Sequence, residues 1–401
     1  MISKIKQPTT DARGFSLVEL MIALLIGLII AIGVVQIFSA TRATYQLDES
    51  LARAQENGRF ALEFLSQDVR HAGYAGCKRD TSVTIFNNLA LPVTAGLPLV
   101  GISGAEYNSQ PTGFGNTYNL SASPTNTTSG WAPALTGVAG VPGGNLAIAA
   151  TGALPGTDVL ALQRMVPNSW ALAAPYITAD KVFIDPAFAN EVKDGDILLV
   201  ADCRNAVAFM ATSILPTGEI SHTASATTNR CERWTGGLDT ANDATAACAS
   251  PFDYDTESHT AMGKLETVVY FVANDPAATV ADPRPTLFRR VMLANGGVVE
   301  TTALVDGVEN FQVLYGVDDV PPFDGAADNY VTANNVSNFA RVVNVQIGLL
   351  VYGVNATGTA SDIEFDTDIH DVAGTSIVPT ANSKRKRRVF NTTIQLRNRS
   401  F

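Results

Sequence analysis

From Leu20 to Val35 sixteen successive positions carry no charged or polar side chain, and only Ser16 and Glu19 interrupt the apolar series reaching back to Phe15. A helix from Phe15 to Phe38 rises about 36 Å, enough to cross a hydrocarbon core about 30 Å thick. Past Thr41 the pattern turns amphipathic. Leu47, Leu51, Ala54, Gly58, Ala61, Leu65 and Val69 recur at intervals of three and four and so share one helical face, which Phe60 and Phe64 widen. Glu49 with Arg53 and Arg59 with Glu63 are spaced to pair along the wet side. No proline falls between Pro8 and Pro92, and Gly73 and Gly76 supply a stop. The pattern predicts one helix from about Phe15 to about Arg70, its first half apolar all round and its second half packed on a head. Gly27 and Gly33 inside the apolar half suit either close helix approach or local unwinding.

Beyond Asp80 short runs rich in Val, Ile and Leu alternate with clusters of Gly, Pro, Asn and Asp, the texture of β structure. Strands are predicted at 159–165, 181–184, 197–201, 206–214, 266–273, 286–292, 297–304, 310–317, 342–352 and 389–396. Val343, Val345, Ile347, Leu349 and Val351 alternate strictly, which marks a strand with one buried face. In the last strand Phe390, Ile394 and Leu396 turn inward while Asn391, Thr393, Gln395 and Arg397 turn out. Two stretches, about 96–156 and about 215–264, read as insertions made of long loops with short strands. The fold class is α+β: a long N-terminal helix, then a large antiparallel β-rich head spanning 71–401.

Charge narrows the functional classes. Twenty-seven Lys and Arg stand against 38 Asp and Glu, for a net charge of −11. So acidic a chain is a poor match for nucleic acid, and none is expected as a partner. The first fourteen residues run the other way, with Lys4, Lys6 and Arg13 against Asp11. Positive flanks stay in the cytoplasm, so the head belongs on the far side of a single span. Cys77, Cys203, Cys231 and Cys248 all follow the apolar run, and an even count in an exported domain suggests two disulfides. Sequence proximity favours Cys231–Cys248, leaving Cys77–Cys203. His71, His222, His259 and His370 are scattered, and no recognised nucleophile, zinc or phosphate-loop motif occurs. No catalytic residue, metal ligand or cofactor is assigned, and an enzyme is not expected. Asp318, Asp319, Asp324 and Asp328 with Gly325, and Asp362, Glu364, Asp366 and Asp368, loosely suggest calcium loops but lack the ligand spacing. The run Lys384-Arg385-Lys386-Arg387-Arg388 reads as a solvated loop or a patch facing an acidic neighbour.

Glu19 is the anomaly, because a carboxylate in such a segment is costly unless paired. A secretory signal peptide or a plain anchor gives no reason for it. Gly14-Phe15-Ser16-Leu17-Val18-Glu19-Leu20 ahead of a long apolar helix resembles the class III signal of type IV prepilins and type II secretion pseudopilins. The resemblance implies cleavage between Gly14 and Phe15 by a prepilin peptidase, which frees leader 1–14, and then N-methylation of Phe15. It further implies that Glu19 pairs, inside a filament core, with the freed amine of Phe15 or of a neighbouring subunit.

Glu56–Leu62, Asp68-Val69-Arg70, Ala72–Cys77, Val308–Gly316 and Arg388–Asn398 resemble PilW-type minor pilins, a group similar to the J-type minor pseudopilin with its two-sheet head. That resemblance implies a subunit anchored in the inner membrane, N-terminus cytoplasmic and head periplasmic. It implies partnership with other minor pilins and the major pilin in a complex that primes pilus assembly, sits at the tip and holds a large tip adhesin. The alternatives are a J-type pseudopilin of a type II secretion system, and a tip module that itself binds a surface through the inserted loops.

Overall fold

The computed structural model of the protein describes residues 16–76, 85–89, 101–109, 113, 115–136, 138, 146, 148, 152–166, 169–177, 181–201, 206–225, 228–229, 260–279, 283–293, 298–353, 365–381, 383 and 385–398. The Gly14–Phe15 junction, all four cysteines, Asp362, Glu364 and Lys384 lie outside them, and with them both cysteine pairings.

One helix, α1, runs from Leu17 to His71, 55 residues or about 82 Å at about 1.5 Å per residue. Ser16 caps its start, Oγ accepting from the Glu19 N–H at 3.2 Å. At the other end the Asn398 amide donates to the carbonyls of Arg70 at 3.3 Å and Ala72 at 3.1 Å, satisfying acceptors the last turn leaves open. The helix is continuous through Gly27 and Gly33, and a Cβ at either would meet open space among the described residues. Its buried stripe is Ala43, Ser50, Ala54, Gly58, Ala61, Leu65, Asp68 and Val69. Phe60 is not part of that stripe: it is 49% exposed and meets Phe64 edge-on at 4.7 Å on the flank. Glu49 and Arg53 pair at 2.7 Å, whereas Arg59 and Glu63 are not among the ion pairs of the described residues.

Two sheets, antiparallel except where Ile85–Asn87 pairs Ala206–Met210 in parallel, face each other across the core that receives α1. The smaller has the order Asn329–Val331, Val308–Val317, Val342–Tyr352, Arg387–Gln395. The larger has 13 strands and turns on the Ala261–Asn274 strand. That strand pairs along one edge with Pro285–Leu293, which carries Val298–Asp306 beyond it. On that same edge, nearer its start, it pairs with Ile197–Ala201, and on its other edge with Trp170–Ile177 and then with Val159–Met165, which carries Ile102–Tyr107. Leu160, Leu162, Val268 and Tyr270 from this sheet close with Phe311, Val313, Val345, Ile347 and Leu349 from the other over Ala54, Ala61, Leu65 and Val69. The small residues let the helix sit close. A Cβ on Gly58 would overlap the Phe390 ring, and one on Gly353 would overlap Ser50.

These contacts orient the head. Gly353 lies by Ser50, Phe390 by Gly58 and Asn398 by Arg70. Movement along α1 away from its apolar half therefore runs from Tyr352 back to Val342 and, in the antiparallel partner, from Val308 to Val317. The connection 318–341 stands at the end of these two strands that points away from the apolar half.

Several expectations are revised. The predicted 206–214 strand breaks at Ala211 and Thr212 into Ala206–Met210 and Ser213–Ile214. The long central strand begins at Ala261, inside the stretch read as an insertion through Lys264, because Met262 and Leu265 are buried beside neighbouring strands. Trp170–Ile177 is an unanticipated strand whose alternation is weak and which contains Pro175. The short strands expected in the 96–156 stretch are Ile102–Tyr107, Thr117–Asn119 and Trp131–Ala132. Trp131, Leu135, Val138, Leu146 and Ile148 also fill a second core with Val269, Phe271 and Phe288 on the sheet face opposite α1. A sheet covered by a helix on one side still has an apolar back to bury. The same holds for Val342–Tyr352, whose second face closes at Leu350 under Tyr118, Val372 and Ile377 of a small three-stranded sheet.

Candidate assembly surface and helix–head junction

The apolar half of α1 is uncovered among the described residues. Ala43 is its first buried residue, so Leu17 to Arg42 projects about 39 Å clear of the head. Leu17 is 74%, Ile26 51% and Phe38 70% exposed. So large an uncovered apolar surface marks a surface for lipid or for other chains. The helix is long and apolar enough to cross a membrane. Glu19 lies exposed in the first turn, where unbonded N–H groups favour an anion.

Near its other end α1 carries an acid that lies inside. Asp68 is 7% exposed. Its Oδ1 accepts from Arg164 Nη1 at 2.8 Å, and its Oδ2 from Arg289 Nε and the Tyr270 hydroxyl, each at 2.7 Å. Arg164 Nε donates on to Glu266 at 2.8 Å. The three partner strands are adjacent in the larger sheet, so this one carboxylate ties the helix to three strands. Burial pushes the Asp68 carboxyl up, but the Arg289 hydrogen bond, the two guanidinium charges and the Tyr270 hydroxyl outweigh it and hold it below its ordinary 3.8. Burial and the adjoining Asp68 charge push the Tyr270 hydroxyl far above its usual range. The sequence signal for this cluster is an acid between Leu65 and Val69 on an otherwise apolar face, the same kind of anomaly as Glu19.

Two further polar groups lie in the head. Arg387 is buried and pairs with Glu309 and with Asp366 Oδ2 at 2.9 Å, and Asp366 also meets His370 at 3.3 Å. Arg385 reaches Glu309 at 3.0 Å and stacks 4.4 Å from the Tyr352 ring centre. The basic run is thus neither a solvated loop nor one patch, because two of its cations are consumed internally. The second group is acidic. Asp158 and Glu106 are each 2% exposed. Asp158 accepts from the Val313 N–H at 2.8 Å and the Tyr107 N–H at 3.5 Å. Burial first, then the Glu106 charge, pushes its carboxyl well above 3.8 despite those donors.

A folded state that holds a proton more tightly than the unfolded chain loses stability as pH rises from the ordinary carboxylate range toward the raised value. Asp158→Asn keeps an acceptor for Val313 and removes that proton. Its denaturation midpoint, measured on the full chain in detergent, is expected to vary less than the parent's between about pH 5 and about pH 8. Parallel curves for the two chains would refute this.

The 318–328 acids spend carboxylate oxygens on backbone N–H groups. Asp328 Oδ2 accepts from the N–H groups of Asp319 at 3.0 Å and Val320 at 2.9 Å, Asp318 Oδ2 from Gly325 at 2.8 Å, and Asp324 Oδ1 from Ala326 at 2.9 Å. No group of three or more metal-binding side chains occurs among the described residues. On the far face of the larger sheet a cavity of about 610 Å³ is lined by Asn126, Phe271, Asn274, Phe288, Arg290 and Thr301, among others.

Comparison with known families gives two matches. Residues 269–398 match the family model described as Type IV Pilus-assembly protein W, and residues 10–35 match the Prokaryotic N-terminal methylation motif. The first spans Tyr270, Arg289, Glu309, Arg387 and Asn398, and the second spans Glu19; Arg164, Asp158 and Glu106 fall outside both. Neither the curated proteins nor the solved structures include a match.

Proposed function

We propose that this chain, which its two family matches support as a PilW-type minor pilin of type IV pili, is processed as a prepilin and acts in priming pilus assembly. In this reading the peptidase cuts between Gly14 and Phe15, Phe15 is N-methylated, and the apolar half of α1 anchors the chain in the inner membrane with the head in the periplasm. The rod then leaves the membrane for the filament core, among the other minor pilins and the major pilin. The observation that carries the reading is the uncovered rod from Leu17 to Phe38 with a single acid in its first turn. A soluble head gains nothing from such a projection, whereas a subunit shared between bilayer and filament needs it. A place at the pilus tip, with a large adhesin mounted there, extends the same proposal.

Co-expression with a prepilin peptidase tests the first step. Intact-mass measurement is expected to give a chain that begins at methylated Phe15. An unprocessed Met1 start, in cells where the chain supports piliation, would overturn the reading. The cavity about Phe271 and Arg290, one wall of which comes from Asn126 in the inserted stretch, gives the surface-binding alternative a definite location. Substitutions there that abolish adhesion while sparing piliation would favour it.

A further inference from the structure

The pole opposite the rod is built to be touched. Val320, Phe323 and Tyr330 in the connection after Val317 are 53%, 43% and 42% exposed, and Pro321 and Pro322 between them are exposed too. An exposed loop this apolar is ordinarily costly, and here it is also braced. Asp328, Asp318 and Asp324 spend carboxylate oxygens on the loop's own N–H groups. The Asp328 N–H bonds Val317 O at 2.9 Å and the Asp318 N–H bonds Arg341 O at 3.0 Å, fixing both ends to the sheet. The Arg341 guanidinium lies 3.5 Å from the centre of the Phe323 ring. A backbone held this way gives up little freedom on binding, which is how a small patch gains affinity.

Charge selects the partner. From Asp318 to Arg341 the chain has four aspartates and one cation, a net −3, and Asp319, Asp324 and Asp328 are exposed. That rim repels nucleic acid and anionic lipid, and it repels a second copy of a chain whose own net charge is −11. We propose that this pole is the docking surface for a different protein, one that presents an apolar groove rimmed by Lys and Arg. The inference rests on the minor-pilin reading in one respect: rod burial in the filament leaves the opposite pole free.

Photo-crosslinking in piliated cells, with p-benzoylphenylalanine in place of Phe323 in the full chain and a second chain labelled at Ile26 on the rod, tests it. Phe323 is expected to capture a protein of different sequence. The yield should fall about tenfold with Val320→Ser plus Tyr330→Ser, which remove two apolar anchors. It should fall several-fold with Asp319→Lys, which leaves the bracing carboxylates in place. Capture of a second copy, of lipid or polysaccharide alone, or of nothing at Phe323 while Ile26 still captures pilin subunits, overturns the inference and leaves the minor-pilin reading standing. Loss of capture at Ile26 overturns the reading and the inference together.

Discussion

Asp68→Ala is expected to be the most destabilising single change in the head, by about 3–5 kcal/mol, the scale for removing one partner of a buried ion pair. The substitution strands two guanidiniums. Arg289 loses the carboxylate it touches at 2.7 Å, Arg164 keeps only Glu266, and the Tyr270 hydroxyl faces an empty site. Denaturant titration of the full chain in detergent measures the loss, and proteolysis is expected to cut first where α1 leaves the sheets. Replacing Arg289 by Met in the same chain should recover part of the stability, because the orphaned cation rather than the missing contact dominates the cost. The acid side has a definite sign. The folded Asp68 carboxyl lies below 3.8, so its stabilisation is complete above the ordinary carboxylate range and disappears as pH falls through the lowered value. The Ala variant lacks that part of the acid-unfolding curve. A change under about 1 kcal/mol, the range of exposed pairs, would show that the cluster is not what holds the helix to the head.

Periodicity carries much of the architecture and little of this chemistry. The alternation through Val343, Val345, Ile347, Leu349 and Val351 gave the bounds Val342–Tyr352 because one face of that strand is buried along its length. The same kind of pattern hides Arg164 and Arg289. Arg164 stands beside Gln163 and Arg289 beside Arg290, so each reads as solvent-facing, and only the arrival of α1 with Asp68 gives them a buried partner. Arg387 was obscured similarly: five cations in a row look like a wet loop, yet Glu309 lies 78 residues away in sequence and pairs with it across the sheet. The 96–156 stretch was opaque for another reason. Its core residues Trp131, Leu135, Leu146 and Ile148 are spaced irregularly, so neither helix nor strand period picks them out. The helix was the most legible element, since its apolar half needs no tertiary partner to be recognised. Phe60 misled because size stood in for burial, while the angular position put it on the flank.

Glu19→Gln is expected to reduce piliation by about two orders of magnitude while leaving the head as stable as the parent's. The second half follows from distance: Glu19 precedes the first buried helix residue, Ala43, by 24 positions, about 36 Å along α1. The first half follows from the proposed processing, which leaves an ammonium on Phe15. Packed among apolar helices, that charge costs several kcal/mol unless a carboxylate meets it, and about 2.7 kcal/mol already corresponds to a hundredfold. Gln preserves the shape and hydrogen-bonding reach of Glu and removes only the charge, so it isolates the pairing. Asp keeps the charge one methylene shorter and should assemble better than Gln. Normal pili from the Gln chain would refute the pairing, whatever the processing result. Glu19 and Asp68, near opposite ends of α1, thus make opposite predictions from one physical cause. Asp68 finds its cations within its own chain, so its loss is read in folding. Glu19 has no ion pair among the described residues, so its loss is expected to be read only when subunits meet.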